Sequence, residues 1–160
     1  YNEPAAEGDV AKADVLPYFG MMRRALTTDR TYAAQTIALE QERVHTLSDF
    51  GTACAFFFEE ETPMDEKAVN KWFGQPHVGA LFDMLISRFS EATTASVEWC
   101  ESLIRDYAAD NNMEKLGPVV HPVRVALTGK TVGPGLFELM HVLGPARMVA
   151  RLQKARAVVK

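Results

Sequence analysis

Residues 77–89 read HVGALFDMLISRF, and the spacing inside them decides the fold. Val78, Leu81, Phe82, Leu85, Ile86 and Phe89 recur at i, i+3, i+4, which is one face of an α-helix and not the alternation of a strand. Residues 95–110, ASVEWCESLIRDYAAD, repeat the pattern with Val97, Cys100, Leu103, Ile104 and Tyr107 on one face. Thr94 is the expected N-cap of that helix and Asn111-Asn112 its stop. Strand signals are nearly absent. Residues 119–126 carry alternating valines, but Pro118 and Pro122 interrupt them. The expected fold is all-α, without significant sheet.

Toward the N-terminus the same signals recur. Asp14 opens a helix over residues 15–26, with Pro17 in its first turn, where a missing N–H costs nothing. Asp29 opens residues 30–44, with Tyr32, Thr36/Ile37, Leu39/Glu40 and Val44 as the apolar stripe. Thr46 and Asp49 form a capping box for LSDFGTACAFFF at 47–58. The acidic run Glu59-Glu60-Glu61 with Thr62-Pro63 stops that helix, and Asp65 caps residues 66–73. Toward the C-terminus, helices are expected over residues 135–143 and 145–158, with Gly144-Pro145 as stop and restart. Gly74 and Pro76 make residues 74–77 the expected internal boundary. It separates a first helical bundle, 13–74, from a second, 75–160, after a polar, frayed segment at 1–12.

At 160 residues and 48% hydrophobic, the chain can fill one ordinary core or two small ones. No run approaches the ~20 apolar residues of a membrane span, and residues 1–8 lack the regions of a signal peptide. The first residue is not Met, which leads us to expect an excised part of a longer protein. Cys54 and Cys100 sit in apolar helical settings without C-x-x-C spacing, so buried, reduced thiols of a cytoplasmic protein are expected. Charge is unevenly placed. From residue 117 onward seven Lys/Arg face one acid, Glu138, while the first 116 residues hold ten basic and twenty acidic residues. A net charge of −4 therefore hides a basic C-terminal third suited to a polyanion.

Catalytic patterns fail on their own criteria. Gly129-Lys130-Thr131 copies the end of a phosphate-binding loop, but the glycine required five positions earlier is Arg124, and no buried strand precedes it. His45, His77, His121 and His141 share no metal-ligand spacing with one another or with the cysteines. No serine lies in a nucleophile elbow. The chain by itself is expected to be non-catalytic, with no cofactor and no metal.

Binding remains. Arg147, Arg151 and Lys154, at i, i+4, i+7, form a cationic ladder on the last helix, either a solvated face or a nucleic-acid backbone contact, as is Lys130 in its turn. Arg124 stands between valines on a segment expected to be buried, so its guanidinium must reach a carboxylate or emerge where it has a partner. Gly133-Pro134-Gly135 fixes an elbow that leaves Leu136 and Phe137 as an apolar shelf at a helix start. A planar cation, a rigid turn and an apolar shelf suit an unstacked base of an RNA loop.

These residues resemble a known family. VRVALTGKTVGPGLFELMHVLG, residues 123–144, is similar to the C-terminal signature of bacterial glutamyl-tRNA synthetases, in which (L/V)R-x-A-L-T-G precedes P-x-L-F-E and a Leu-Gly turn. Residues 37–50, 56–61 and 65–72 resemble the first anticodon-binding subdomain, and VEWCESLIRDYAADNNMEKLG resembles the helix leading into the signature. The resemblance runs from about residue 14 to residue 160. It implies the all-α anticodon-binding half of a class I synthetase, two packed helical bundles gripping the anticodon loop of tRNA-Glu, with neither DNA nor membrane as partner. ATP and Mg2+ would belong to a catalytic domain whose motifs have no counterpart in this sequence, and the parent enzyme would be monomeric. Arg43 matches the arginine that reads the third anticodon base, Arg124 the signature arginine, and Pro134 with Leu136 the elbow at the first base. Read from its own surroundings, Arg43 equally suits a helix-end cation paired with Glu40 or Asp49. Gly133 departs from the family pattern, where a larger side chain is common. The alternative is a stand-alone helical protein-interaction or tRNA-binding module derived from such a domain.

Overall fold

The computed structural model describes residues 29–59 and 62–159, together with Gly20, Arg23 and Thr27. The helix expected over 15–26, the segment 1–12, and part of the Glu59–Glu61 run lie outside the described residues. Among the described residues every regular element is an α-helix, and none is long and apolar enough to cross a membrane. The chain divides into two compact units, residues 1–60 and 61–160.

The first unit contains α1 (Arg30–Glu40) and α2 (Leu47–Phe58). Asp29 caps α1, its carboxylate accepting from the Thr31 N–H at 2.8 Å. The buried face is Tyr32, Ala33, Thr36 and Glu40, whereas Ile37, expected in the stripe, is 38% exposed. Thr36 can be inward because its hydroxyl donates to the Tyr32 carbonyl at 2.8 Å. The Tyr32 hydroxyl donates to the Phe57 carbonyl at 2.9 Å, and its ring meets Phe57 and Phe58 edge-on, which ties the two helices together. The capping box is formed as expected: Thr46 Oγ1 accepts from Asp49 N–H, and Asp49 accepts from Thr46 N–H at 2.9 Å. The Thr46 side chain first, then the N–H groups of Thr46 and His45, hold the Asp49 carboxyl below its ordinary range.

The second unit contains α3 (Glu66–Trp72), α4 (Val78–Glu91), α5 (Val97–Asp110), α6 (Gly117–Thr128) and α7 (Leu136–Arg156). Helix α7 packs on α4, α5 and α6, and α3 packs on α6. The core interdigitates Leu81, Phe82, Leu85 and Phe89 of α4 with Leu103 and Ile104 of α5, Val123 and Leu127 of α6, and Leu139, Met140, Leu143, Met148 and Leu152 of α7. Each such side chain contributes roughly 1.5–3 kcal/mol on burial. The kink in α7 falls at Gly144, φ 70° and ψ 170°, immediately before Pro145, where the stop and restart were expected.

Two expectations are corrected. Helix α5 is capped by Ser96, whose hydroxyl accepts from Trp99 N–H at 3.2 Å, and not by Thr94, which stands one residue outside the buried Ala95. The units part at 60/61 rather than at 74–77, because α3 belongs with α6: Asp65 N–H donates to the Gly129 carbonyl at 2.9 Å and Trp72 stacks on His121. Residues 119–126, whose prolines spoke against a strand, lie inside α6. Pro118 occupies the first turn, and Pro122 leaves the carbonyl of Pro118 without its usual i+4 donor. That carbonyl is met instead by His77 Nε2 at 2.9 Å, which must carry the proton because a carbonyl only accepts.

Gly129 ends α6 in the left-handed region, φ 75°, and a Cβ there would collide with the Pro63 carbonyl oxygen. Gly129→Ala should lower the unfolding free energy by roughly 2 kcal/mol or more. Gly74→Ala, whose Cβ would stand 3.6 Å from the Asn70 carbonyl, should shift it by under roughly 0.5 kcal/mol in the same urea titration. Equal losses would show that the Pro63 contact is not what demands glycine at 129. Burial pushes the Cys100 thiol up to about 12; burial, then the Glu40 charge, does the same to Cys54. Neither thiol should react with a disulfide reagent near about pH 8 until the protein is denatured. Rapid labelling of native protein would contradict this assignment.

Candidate nucleic-acid interface

In the first unit, Arg43 lies in the turn that follows α1, its N–H donating to the Glu40 carbonyl at 2.9 Å. Its Nη1 pairs with Glu40 Oε2 at 3.4 Å, the arginine side chain 42% exposed and the glutamate 2%. The pairing with Glu40 read from the sequence is therefore present, and the guanidinium still faces solvent.

In the second unit the site gathers around the end of α6. Arg124 is half-buried, and its Nη1 donates to the Pro134 carbonyl at 2.5 Å, across the turn of residues 129–135. Gly133 lies directly beneath, since a Cβ at that position would be 3.0 Å from Arg124 Nη1. The Thr128 hydroxyl accepts from Lys130 N–H at 3.1 Å and is 2.9 Å from the Arg124 carbonyl. Lys130 N–H is thus already satisfied within the turn, which agrees with the failure of Gly129-Lys130-Thr131 as a phosphate cradle. Glu138, in the first turn of α7, folds its carboxylate over Gly135, where a Cβ would collide with it.

Two expectations about side chains are overturned here. Leu136 is 4% exposed and Pro134 is buried, so the shelf expected from Leu136 faces the core; the exposed apolar group of the turn is Val132, at 69%. Arg151 is no rung of a solvated ladder. It is 8% exposed, and its Nη1 donates to the Leu127 carbonyl at 2.6 Å, in the last turn of α6 where carbonyls lack helical donors. Spacing could not decide this, because residue 151 lies at i+4 from Arg147 and equally at i+3 from buried Met148. Arg147, Lys154 and Lys130 are exposed.

Sequence reasoning missed the Trp72–His121 stack, with ring centroids 4.5 Å apart and planes at 22°. Lys71 Nζ sits 4.9 Å over the Trp72 ring. Trp72 Nε1 and His121 Nδ1 are both buried without a hydrogen-bond partner. Burial first, then the charges of Arg124 and Lys71, lower the His121 pKa and favour the neutral ring. No local pattern links these residues; only the helicity of the proline-containing α6 brings His121 to α3. Among the described residues no three His, Cys, Asp or Glu side chains group to hold a metal ion. His141 Nδ1 lies 2.6 Å from the Ala95 carbonyl, so His77 and His141 both serve backbone carbonyls.

The chain matches the family model described as an anticodon binding domain over residues 12–156. It is 35% identical over 127 residues to a glutamate–tRNA ligase of Moorella thermoacetica, covering 79% of this chain and 26% of that protein. It is 38% identical over 120 residues to a glutamate–tRNA ligase of Geotalea uraniireducens, covering 75% and 25%. The chain thus spans about a quarter of the length of these relatives. Its fold is similar to that of a glutamate tRNA ligase from Elizabethkingia meningosepticum, with a TM-score of 0.75 over 92% of this chain and 30% of that one, at 24% identity. With an all-α second unit whose turn at 129–135 is held by Arg124, and with the family model matched over nearly its whole length, the chain belongs to the anticodon-binding-domain family.

Proposed function

We propose that this chain is the anticodon-loop recognition part of a glutamate–tRNA ligase, the enzyme that joins glutamate to tRNA-Glu with ATP. The observation that carries the reading is the 35–38% identity to glutamate–tRNA ligases across three quarters of the chain, confined to a quarter of theirs. The chain on its own is read as a non-catalytic RNA-binding piece of a cytoplasmic, monomeric enzyme, with ATP and Mg2+ handled by the remainder of the parent protein.

In this reading Arg43 supplies the specific contact. Its exposed guanidinium can donate two parallel bonds to the edge of the third anticodon base. Arg124 and the elbow of Pro134 and Leu136 hold the first base. Because Leu136 and Pro134 are buried, they act by fixing the main chain of the turn, and the surface offered to the base is the Arg124 guanidinium and that main chain. Lys130, Arg147 and Lys154 face the phosphate backbone. Arg151 is withdrawn from that set by its burial.

Binding of anticodon stem-loops tests each part. Arg43→Gln should cost roughly 1–3 kcal/mol of discrimination at the third anticodon base, as for a lost bidentate contact. Equal affinity losses for loops differing at that base would assign Arg43 to phosphate or scaffold. Lys154→Ala should weaken all loops alike and reduce the salt slope by about one. Arg151→Met should leave that slope unchanged and instead lower stability by roughly 1–3 kcal/mol, because the Leu127 carbonyl loses a charged donor. A reduced slope in the Arg151 variant would return it to the RNA surface.

A further inference from the structure

We infer that Glu40 is a positioning residue for Arg43, setting the guanidinium in the orientation in which it meets the base. The inference rests on the proposed reading of Arg43 and deepens it. Glu40 is the last residue of α1 and is only 1% exposed. A buried carboxylate at a helix C-terminus is doubly unfavourable, through desolvation and through the negative end of the helix dipole. Its retention there calls for a compensating cation, and Arg43 Nη1 lies 3.4 Å from Oε2.

The geometry favours positioning over simple neutralisation. Arg43 is held to the same residue at both of its ends, by its own N–H on the Glu40 carbonyl at 2.9 Å and by Nη1 on the carboxylate. The backbone bond fixes where the side chain starts and the Nη1 contact restricts the rotamers it samples, so part of the freedom an exposed arginine loses on binding is removed beforehand. Nη1 faces the carboxylate, and the arginine side chain is still 42% exposed, so the rest of the planar fork is left toward solvent. Glu40 is itself fixed against α2. The fully buried Cys54 of that helix is close enough for the Glu40 charge to raise its thiol pKa further. The carboxylate is therefore part of a packed helix pair, not a mobile surface group.

The test is a double-mutant cycle in this 160-residue chain, read with two anticodon stem-loops that differ only at the third anticodon base and with a thermal melt of each variant. Glu40→Gln keeps the shape and the acceptor oxygen but removes the charge. It should reduce the ratio of the two affinities roughly tenfold, the loss of one charge-assisted contact. Affinity for the non-cognate loop should stay within about twofold. Arg43→Gln should reduce the ratio at least as far, and adding Glu40→Gln to it should cause no further loss. Full discrimination in Glu40→Gln alongside a loss in Arg43→Gln would overturn the positioning role and leave the reading of Arg43 standing. No change in Arg43→Gln, or no binding of either loop, would overturn both. Glu40→Asp, which keeps the charge and withdraws it by one methylene, guards against a folding failure and should give an intermediate ratio. If both Glu40 variants melt below the assay temperature, Glu40 is a core residue and the inference fails.

Discussion

Helix α6 and the turn that follows it leave several carbonyls without helical donors, and much of the second unit is arranged to meet them. Pro122 leaves the Pro118 carbonyl to His77. The Leu127 carbonyl, in the last turn, takes a charged donor from Arg151 of α7. Gly129 turns the chain out through the left-handed region and lends its own carbonyl to Asp65, at the start of α3. Beyond it the Pro134 carbonyl is claimed by Arg124. A buried backbone acceptor without a donor costs on the order of 1–3 kcal/mol, so four such contacts are comparable to the whole stability of a small domain. Helices α3, α4 and α7 are therefore joined to α6 by hydrogen bonds as well as by apolar packing.

This constraint sorts the basic residues of the C-terminal third. Counted by composition, residues from 117 onward form one cationic region. In three dimensions the cations split by task. Arg151 is committed to a buried carbonyl, Arg156 binds Asp83 at 2.8 Å, and Arg124 spans a turn. The exposed remainder includes Lys130, Arg147 and Lys154. A polyanion would thus meet a smaller, more discrete set of charges than the raw count suggests, displayed on a turn and a helix already rigidified by the other arginines.

What the sequence made legible is what local rules govern. The 3.6-residue spacing of α4 and α5, the Thr46–Asp49 box, the Asp65 cap and the break at Gly144-Pro145 each depend on neighbours within a turn or two. What it hid depends on partners far along the chain. The prolines of α6 exclude a strand without declaring the full length of a helix, and the donor that offsets Pro122 is His77, remote in sequence. The inward turn of Arg151 is decided by Leu127, and the placement of α3 in the second unit by Gly129 and His121. In the candidate site, Arg43 and its Glu40 pairing were legible because they lie three residues apart. The burial of Leu136 was not, since a helix start beside a glycine elbow can face either way until its neighbours are known.

Gly133 joins these strands. The resemblance to the synthetase signature puts a larger side chain at this position in many relatives, and a glycine there suggests at first a lost contact. The geometry gives another account. A Cβ at residue 133 would stand 3.0 Å from Arg124 Nη1, tighter than ordinary contact, so the guanidinium would have to yield by a few tenths of an ångström. With glycine in place Arg124 settles onto the Pro134 carbonyl and closes the turn. A side chain at 133 would require the flexible end of Arg124 to shift by a few tenths of an ångström. In this chain glycine at 133 leaves Arg124 room to brace the turn while its side chain stays half-buried.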